Sequence, residues 1–249
     1  MKLLDVRGLT RRFGGLVATD HLDFAVARDE VHAVIGPNGA GKTTLIAQLA
    51  GSLKPDAGSI VLGGVDITGL SAHARVAHGI ARSYQVTNVF RRFTALDNAV
   101  LAVQACAGSS FRFWRPARAE RALFDEAHAL LARVGLRDRA EVPAGALAHG
   151  EQRQLEVALA LASRPRLLLL DEPMAGMGPD ESERMVALIH GLKGSITIVL
   201  VEHDMDAVFR LADRISVLVY GRVLATGTPP EIRANAEVRQ AYLGAEAAA

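Results

Sequence analysis

The chain has 249 residues with a hydrophobic fraction of 50%, and its charged residues, 22% of the total, nearly cancel to a net charge of +1. This length and apolar content suit one large globular unit or a domain with an inserted lobe, and the near-neutral charge gives no reason to expect nucleic-acid binding. Cys106 is the only cysteine, which excludes a disulfide framework and a cysteine zinc site.

The sequence also limits where the protein works. Residues 1–5 lack the apolar core of a signal peptide. The longest charge-free stretch, Asn98–Phe111, is too short and too polar to span a bilayer. We therefore expect a protein that is cytosolic in its own right. If it works at a membrane, something else holds it there.

The first predicted elements are two strands. Alternating apolar and polar residues predict half-buried strands over residues 3–9 and 21–26. Between them, residues 11–15 are predicted to form a turn that presents Phe13 beside two arginines. Phe13 could stack on a nucleotide base or could simply cover the sheet.

A strand, a glycine-rich loop and a helix follow. The apolar run Val31–Ile35 predicts a buried strand, and residues 44–49 predict the opening of a helix. The loop between them matches a phosphate-binding P-loop, in which glycines let successive N–H groups point at one anion and the helix N-terminus adds more. In this pattern Lys42 reaches the outer phosphates and the Thr43 hydroxyl can ligate Mg²⁺. The predicted nucleotide-binding residues are Gly36, Pro37, Asn38, Gly39, Ala40, Gly41, Lys42, Thr43 and Thr44.

The middle of the chain changes from alternating strands and helices to helices alone. A strand with a glycine turn over 59–64, a helix from Ser71 to about Gly79 and a short strand over 81–84 come first, and Gln85 follows at once. The next predicted elements are helices over 96–106 and 118–134 and one beginning near residue 151. This interruption indicates an inserted lobe.

Two carboxylates end the next strand. Four leucines over 167–170 predict a strand buried on both faces, and Asp171 and Glu172 follow at the end where open α/β sheets place their ligands. Asp171 could hold Mg²⁺ through water, and Glu172 could polarise an attacking water. Alone, such a pair is more often a solvated turn; the P-loop upstream favours the catalytic interpretation.

A further polar cluster follows the predicted strand over 196–201. His203 lies there and could reach a terminal phosphate, although a lone histidine is usually a satisfied structural residue. Its position in register with two other site strands favours the functional interpretation. Strands near 214–220 and 222–226 and two short helices after Pro229 complete the prediction.

Taken in order, these motifs resemble the ATP-binding cassette (ABC) family of ATPases over essentially the whole chain. The resemblance implies a single P-loop ATPase domain over 1–249, with a RecA-like α/β core (1–86 and 163–249), an antiparallel β subdomain and an inserted helical subdomain (about 87–162). It also implies ATP hydrolysis coupled to transport across a membrane.

The resemblance gives each motif a role. The P-loop is the Walker A motif, and Gln85 is the Q-loop glutamine that contacts Mg²⁺ and faces the transmembrane partner. Asp171 and Glu172 match the Walker B aspartate and the catalytic glutamate, and His203 matches the switch histidine. Phe13 falls where the family stacks an aromatic ring on adenine.

Residues 147–151 occupy the position of the family's signature motif. Gly150 opens an amphipathic helix, so we expect its N-terminal amides to be free for an anion. In the family that anion is the γ-phosphate of an ATP held by the opposite subunit. Ala148, His149, Gly150 and Glu151 are therefore predicted to contact nucleotide.

Three residues depart from the general family pattern. Ala148 stands where most members have serine, Glu151 replaces the usual glutamine, and Gly178 stands where the D-loop usually has Asp or Asn. Each change removes a polar contact across the dimer, so we expect a weak contribution from this subunit to its partner's site.

Smaller motifs resemble one branch of the family. Residues 147–156, 175–177, 202–205 and 241–244 look like the LivG-type ATPase subunits of bacterial branched-chain amino acid importers. The resemblance implies a second, LivF-like ATPase subunit, two permeases and a periplasmic binding protein as partners, at the cytoplasmic face of the inner membrane, although an isolated homodimer is possible. Related importers carry urea, short amides or aromatic acids, so the cargo stays open.

Rival classes fit less well. Repair ATPases of the family insert a long coiled coil and translation ATPases carry two cassettes, whereas this chain shows neither. The ATPase of a lipopolysaccharide exporter also resembles this chain, but the sequence around residues 242–244 argues against it. A P-loop kinase would leave the signature motif and His203 unexplained.

Overall fold

A computed structural model of the chain describes residues 1–83, 89–106 and 121–243. The chain forms two compact units. The first comprises residues 1–82, 166–172 and 192–249, and the second comprises residues 83–165 and 173–191. Within the described ranges, no helix is long and apolar enough to cross a membrane.

All the named strands lie in the first unit. They are β1 (Lys2–Phe13), β2 (Leu16–Ala27), β3 (Val31–Ile35), β4 (Ala57–Leu62), β5 (Val65–Asp66), β6 (Ile80–Arg82), β7 (Leu167–Asp171), β8 (Thr197–Val201), β9 (Arg214–Val219) and β10 (Arg222–Gly227). The named α-helices are α1 (Lys42–Ala50), α2 (Ala72–Ala77), α3 (Ala95–Cys106), α4 (Arg121–Arg133), α5 (His149–Ala162), α6 (Pro179–Leu192), α7 (Met205–Leu211), α8 (Pro229–Ala234) and α9 (Ala236–Val238).

The strands form two sheets. A four-stranded antiparallel sheet has the order β2-β1-β4-β5, and a six-stranded sheet has the order β10-β9-β3-β8-β7-β6. In the larger sheet every pairing is parallel except that of β10 with β9. This architecture confirms the predicted α/β class with its separate antiparallel sheet.

One apolar core joins the two sheets and α1. Leu4 from the smaller sheet, Leu45 from α1 and Leu169 from the larger sheet are each completely buried in it. A second cluster packs α7 and α8 on the larger sheet through Val208 and Ile232. Because β3, β7 and β8 are parallel neighbours, their carboxyl ends meet at one edge of the sheet.

The predicted turn at residues 11–15 is wrong in its extent. β1 continues through Phe13, which pairs with Leu16, so the turn contains only Gly14 and Gly15. The apolar alternation ended at residue 9 because the outer part of the hairpin is mostly exposed or half-buried. Backbone pairing continues there without a buried side-chain face to reveal it.

The second unit is helical. α3, α4 and α5 pack on one another and bury Val103, Leu131 and Leu155. α5 begins at His149, slightly before the predicted start near residue 151. Sequence analysis did not predict α6 or, in the first unit, α7.

Candidate functional site

The P-loop requires glycine at two positions, because backbone carbonyls of neighbouring segments lie very close to it there. A Cβ atom at Gly36 would lie 2.1 Å from the Leu218 carbonyl oxygen, and one at Gly41 would lie 2.2 Å from that of Ala18. Both residues also have positive φ angles, +153° and +102°, which L side chains rarely adopt. The neighbouring β9–β10 turn fixes the loop further, because the Gly221 N–H donates to the Ala40 carbonyl at 3.0 Å.

Lys42 starts α1 and brings a nearly buried cation to this loop. Only 6% of the residue is exposed, and its Nζ donates to the carbonyl oxygens of Gly36 at 2.6 Å and Pro37 at 3.0 Å. Burial lowers the pKa of Lys42, and the charges of Glu172 and Asp171 partly oppose this. Gly41, the N-cap of α1, has no side chain that could accept the first N–H groups of the helix. These backbone amides and the lysine therefore lie where an anion could bind.

A cavity of about 280 Å³ opens beside the loop. The residues that line it are Phe13, Leu16, Ala18, Asn38, Gly39, Ala40, Gly41, Lys42, Thr43, Thr44, Glu172 and His203. Phe13 keeps 46% of its surface exposed, and the Arg11 guanidinium carbon lies 5.0 Å from its ring centroid. The fold thus brings residues that are far apart in sequence around one space.

Glu172 and His203 form a hydrogen-bonded pair on this cavity. His203 Nε2 lies 2.9 Å from Glu172 Oε1, so the ring nitrogen donates to the carboxylate. Glu172 has a φ of +50° and its N–H donates to the Val201 carbonyl at 2.8 Å. A left-handed conformation costs a non-glycine residue on the order of 1–3 kcal/mol, and backbone strain of this kind clusters at active sites.

Asp171 ends β7 with a buried carboxylate. One oxygen, Oδ2, accepts a hydrogen bond from Arg82 Nη2 at 2.9 Å, while Oδ1 is buried and has no hydrogen-bond partner among the residues that the structure describes. Burial raises the pKa of Asp171, and the charge and hydrogen bond of Arg82 oppose this. An orphaned carboxylate oxygen, with the exposed Thr43 on the cavity, fits the oxygen ligands that Mg²⁺ prefers.

Sequence reasoning missed Arg82. It ends β6, which pairs in parallel with β7, so its side chain emerges near the same sheet edge as Asp171. The available signal was a cation within the short strand predicted over 81–84. Gln85, three residues further on, lies outside the described residues.

The predicted signature residues belong to the second unit. Ala148 is the N-cap of α5, and its N–H donates to Glu151 Oε2 at 3.0 Å. The other oxygen of Glu151 pairs with Arg139 at 2.9 Å. His149 Nε2 lies 3.2 Å from the Ala175 carbonyl oxygen.

The expectation that the amides of this helix are free is wrong for Gly150. Its N–H donates to Glu181 Oε1 at 3.0 Å, so an internal carboxylate already binds there. Sequence analysis missed Glu181 because it lies on α6, an element that it did not predict.

A P-loop that joins a buried strand to a helix, with two carboxylates at the end of a neighbouring parallel strand, defines a P-loop nucleoside triphosphatase. The ABC transporter family model matches residues 19–175, and a model of branched-chain amino acid ATP-binding cassette transporters matches residues 222–248. The chain belongs to the ABC transporter family and is one of its ATP-binding ATPase subunits, as the motifs predicted.

Two curated relatives match nearly the whole chain. The high-affinity branched-chain amino acid transport ATP-binding protein BraF of Pseudomonas aeruginosa is 42% identical, over 97% of this chain and 98% of its own. The protein LivG of Escherichia coli, with the same description, is 40% identical over the same shares.

Solved structures agree with the fold. An ATP-binding cassette of an ABC transporter in its ADP conformation superposes with a TM-score of 0.86 at 27% identity, covering 98% of this chain and 99% of that one. A nucleotide-free cassette gives 0.85 at 26% identity, covering 97% and 99%.

Proposed function

We propose that this chain hydrolyses ATP to drive a bacterial importer of branched-chain amino acids. The relatives named above support this cargo, and so does the match of residues 222–248 to the branched-chain family model. In this proposal the chain pairs with a second, LivF-like ATPase subunit and two permeases, with a periplasmic binding protein upstream. It acts at the cytoplasmic face of the inner membrane and also needs Mg²⁺.

The observation that carries the enzymatic part is the Glu172–His203 pair on the P-loop cavity. When ATP binds, Lys42 exchanges its carbonyl partners for phosphate oxygens, and the amides at the start of α1 hold the same charge. Phe13 can stack on the adenine ring, since it is half exposed on the same cavity.

Glu172 then acts as the general base. Its carboxylate orients a water and takes a proton as the water oxygen bonds to the γ-phosphorus, while the bond to the β–γ bridging oxygen breaks and leaves ADP. His203 holds the Glu172 carboxylate from one side and can donate to a γ-phosphate oxygen when that contact opens.

Asp171 and Thr43 are the described residues that would hold Mg²⁺, together with Gln85. Bound there, the ion neutralises phosphate charge as the transition state forms. In the described part of the chain no three acidic, histidine or cysteine side chains form a metal site of their own. Mg²⁺ is usually bound by one or two protein oxygens, waters and substrate phosphates.

Glu172→Gln tests the enzymatic role. The variant keeps the shape of the side chain and loses the base, so we expect ATP binding to persist while turnover falls by roughly 100-fold or more. Single-turnover hydrolysis of radiolabelled ATP by the assembled transporter, with filter binding as the control, measures both quantities. Turnover at the wild-type rate would remove Glu172 from this role.

The alternatives for the cargo are urea or short amides and aromatic acids, with the same role for this chain. Co-expression with the permeases of the transporter, followed by uptake of labelled leucine, urea and benzoate, separates these cargo alternatives. Co-purification with ribosomes or DNA instead of permeases would support the less favoured non-transport ATPase.

A further inference from the structure

The start of α5 lacks the side chain that usually caps a helix. Its N-cap is Ala148, whose methyl group cannot accept a hydrogen bond. In a capped helix, a side-chain oxygen at this position accepts the N–H of the second or third helical residue, which here are Gly150 and Glu151. Glu151 provides one half of a capping box, because its carboxylate accepts a hydrogen bond from the Ala148 N–H at 3.0 Å.

Glu181 supplies the missing acceptor from another helix. Its Oε1 accepts the Gly150 N–H at 3.0 Å. Its Oε2 lies 3.4 Å from the N–H of Gly178, the residue before α6, whose carbonyl in turn accepts the N–H of Glu181 at 3.1 Å. One carboxylate therefore serves the N-termini of α5 and α6, and both helix dipoles favour its negative charge.

The packing around this carboxylate explains a glycine. Gly150 is helical and has no positive φ angle that would require glycine. A Cβ atom there would instead lie 3.0 Å from the Cβ, the carboxyl carbon and Oε1 of Glu181. The half-buried Glu181 side chain thus lies directly against the Gly150 backbone, and a larger residue would push it away.

We propose that Glu181 is a positioning residue that acts as a built-in anion of the signature segment, residues 147–151, replacing the cap that Ala148 cannot supply. The carboxylate occupies the Gly150 amide, and a phosphate can bind that amide only after displacing it. This inference rests on the proposed function where it takes the displacing phosphate to be that of an ATP held by the partner ATPase subunit.

The carboxylates at the start of α5 also change the charge that a phosphate would meet there. Glu151 and Glu181 place two carboxylates at the start of α5, with Arg139 as the cation bound to Glu151. These two carboxylates repel an approaching phosphate. Closure onto a partner's nucleotide is therefore coupled to movement of Glu181, which also contacts Gly178 in the D-loop position.

Hydrogen exchange of the Gly150 amide in the full-length chain tests the contact. As the second residue of α5, Gly150 has no carbonyl partner within the helix, so its protection depends on Glu181. We expect Glu181→Ala to lower the protection factor of Gly150 at least tenfold. Asp180→Ala, which removes the neighbouring exposed carboxylate of the same turn, should leave it unchanged. Equal protection in wild type and E181A would overturn the proposal.

Titration with inorganic phosphate, followed by amide NMR at constant ionic strength, tests the occupancy. We expect phosphate to shift the P-loop amides of Gly39 and Gly41 in every variant, but to shift Gly150 only when the Glu181 charge is removed. Glu181→Gln keeps an acceptor without the charge and guards against a folding defect in E181A; it should retain partial protection and still admit phosphate.

Two results would overturn the occupancy: a Gly150 shift in wild type as large as in E181Q, or no shift in any variant. A failure of the proposed function looks different, because a chain that bound no nucleotide phosphate would lose the response of Gly39 and Gly41. The shift of the Gly150 amide therefore tests the occupancy, and the shifts of the Gly39 and Gly41 amides test phosphate binding by the P-loop.

Discussion

Two helix N-termini in this molecule carry motifs for the same chemical group and are built in opposite ways. At the P-loop, the first turn of α1 follows Gly41 and is accompanied by Lys42, a cation whose described acceptors are two backbone carbonyls. At the signature segment, the first turn of α5 is accompanied by Glu151 and Glu181, whose carboxylates already accept the N–H groups of Ala148 and Gly150.

The difference lies in the side chains that surround each helix N-terminus and in the charge that they bring there. A helix N-terminus offers partial positive charge in both places. A lysine adds a full positive charge to one, and carboxylates subtract from the other. The P-loop should therefore bind phosphate by itself, whereas the signature segment should bind it only when a strongly bound partner nucleotide is brought close.

Loss of the lysine should produce the largest effect and would remove the contrast. In Lys42→Ala the P-loop keeps its amides and loses its cation, so we expect ATP affinity to fall by roughly 100-fold or more, since charge-assisted bonds to phosphate are strong. Isothermal titration of the full-length chain with ATP measures this.

Lys54→Ala is the matched control, because Lys54 is exposed and lies outside the cavity lining. Its affinity should equal that of wild type. If K42A bound ATP as well as K54A did, the amides alone would suffice, and the proposed difference between the two helix ends would be wrong.

The P-loop half of the site was predictable from sequence, and the carboxylate networks were not. Gly36, Gly41 and Lys42 belong to one short motif whose spacing encodes the backbone path. The four leucines over 167–170 predicted a buried strand, and this placed Asp171 and Glu172 at the carboxyl end of that strand. These signals are local, and the structure confirms the strands and the α/β class that they predicted.

Arg82 and Glu181 were missed because their roles depend on pairings that no local pattern encodes. Arg82 meets Asp171 through the parallel pairing of β6 and β7, 89 positions apart in sequence. Glu181 meets Gly150 through the packing of α6 on α5, and α6 itself was not among the predicted elements. The predicted extent of the β1–β2 hairpin was wrong for a related reason, because its outer residues pair without a buried side-chain face.

Arg82 provides the next largest test, on the P-loop side of the comparison. Its hydrogen bond fixes Asp171 Oδ2 and leaves Oδ1 as the buried oxygen without a described partner. We expect Arg82→Ala to weaken metal binding to the ATP complex by about tenfold, as is typical when a residue that orients a metal ligand is removed. Electron paramagnetic resonance titration with Mn²⁺ and a non-hydrolysable ATP analogue measures this.

ATP binding in EDTA is the internal control, because it depends on Lys42 and the amides and should not change in R82A. Arg82→Lys keeps a donor and should recover part of the metal affinity. Equal losses of ATP affinity with and without metal would mean that Arg82 supports the fold of the site rather than Asp171.

The smallest expected effect tests the signature side through stability. Ala148→Ser offers α5 an N-cap hydroxyl, which contributes about 1 kcal/mol to the free energy of unfolding when the amide is otherwise unpaired. In wild type the Gly150 amide is already bound by Glu181, so we expect little gain from A148S. In the E181A background the same change should give most of that 1 kcal/mol, because the amide is then available.

Urea unfolding of the four proteins in this double-mutant cycle measures the coupling, and equal gains from A148S in both backgrounds would show that the serine and Glu181 use different amides. ATP turnover of the assembled transporter extends the test. If A148S raises turnover only in the E181A background, the Glu181 carboxylate limits the contribution of this subunit to the site of the proposed partner. An increase with Glu181 present would assign such a limit to Ala148 alone.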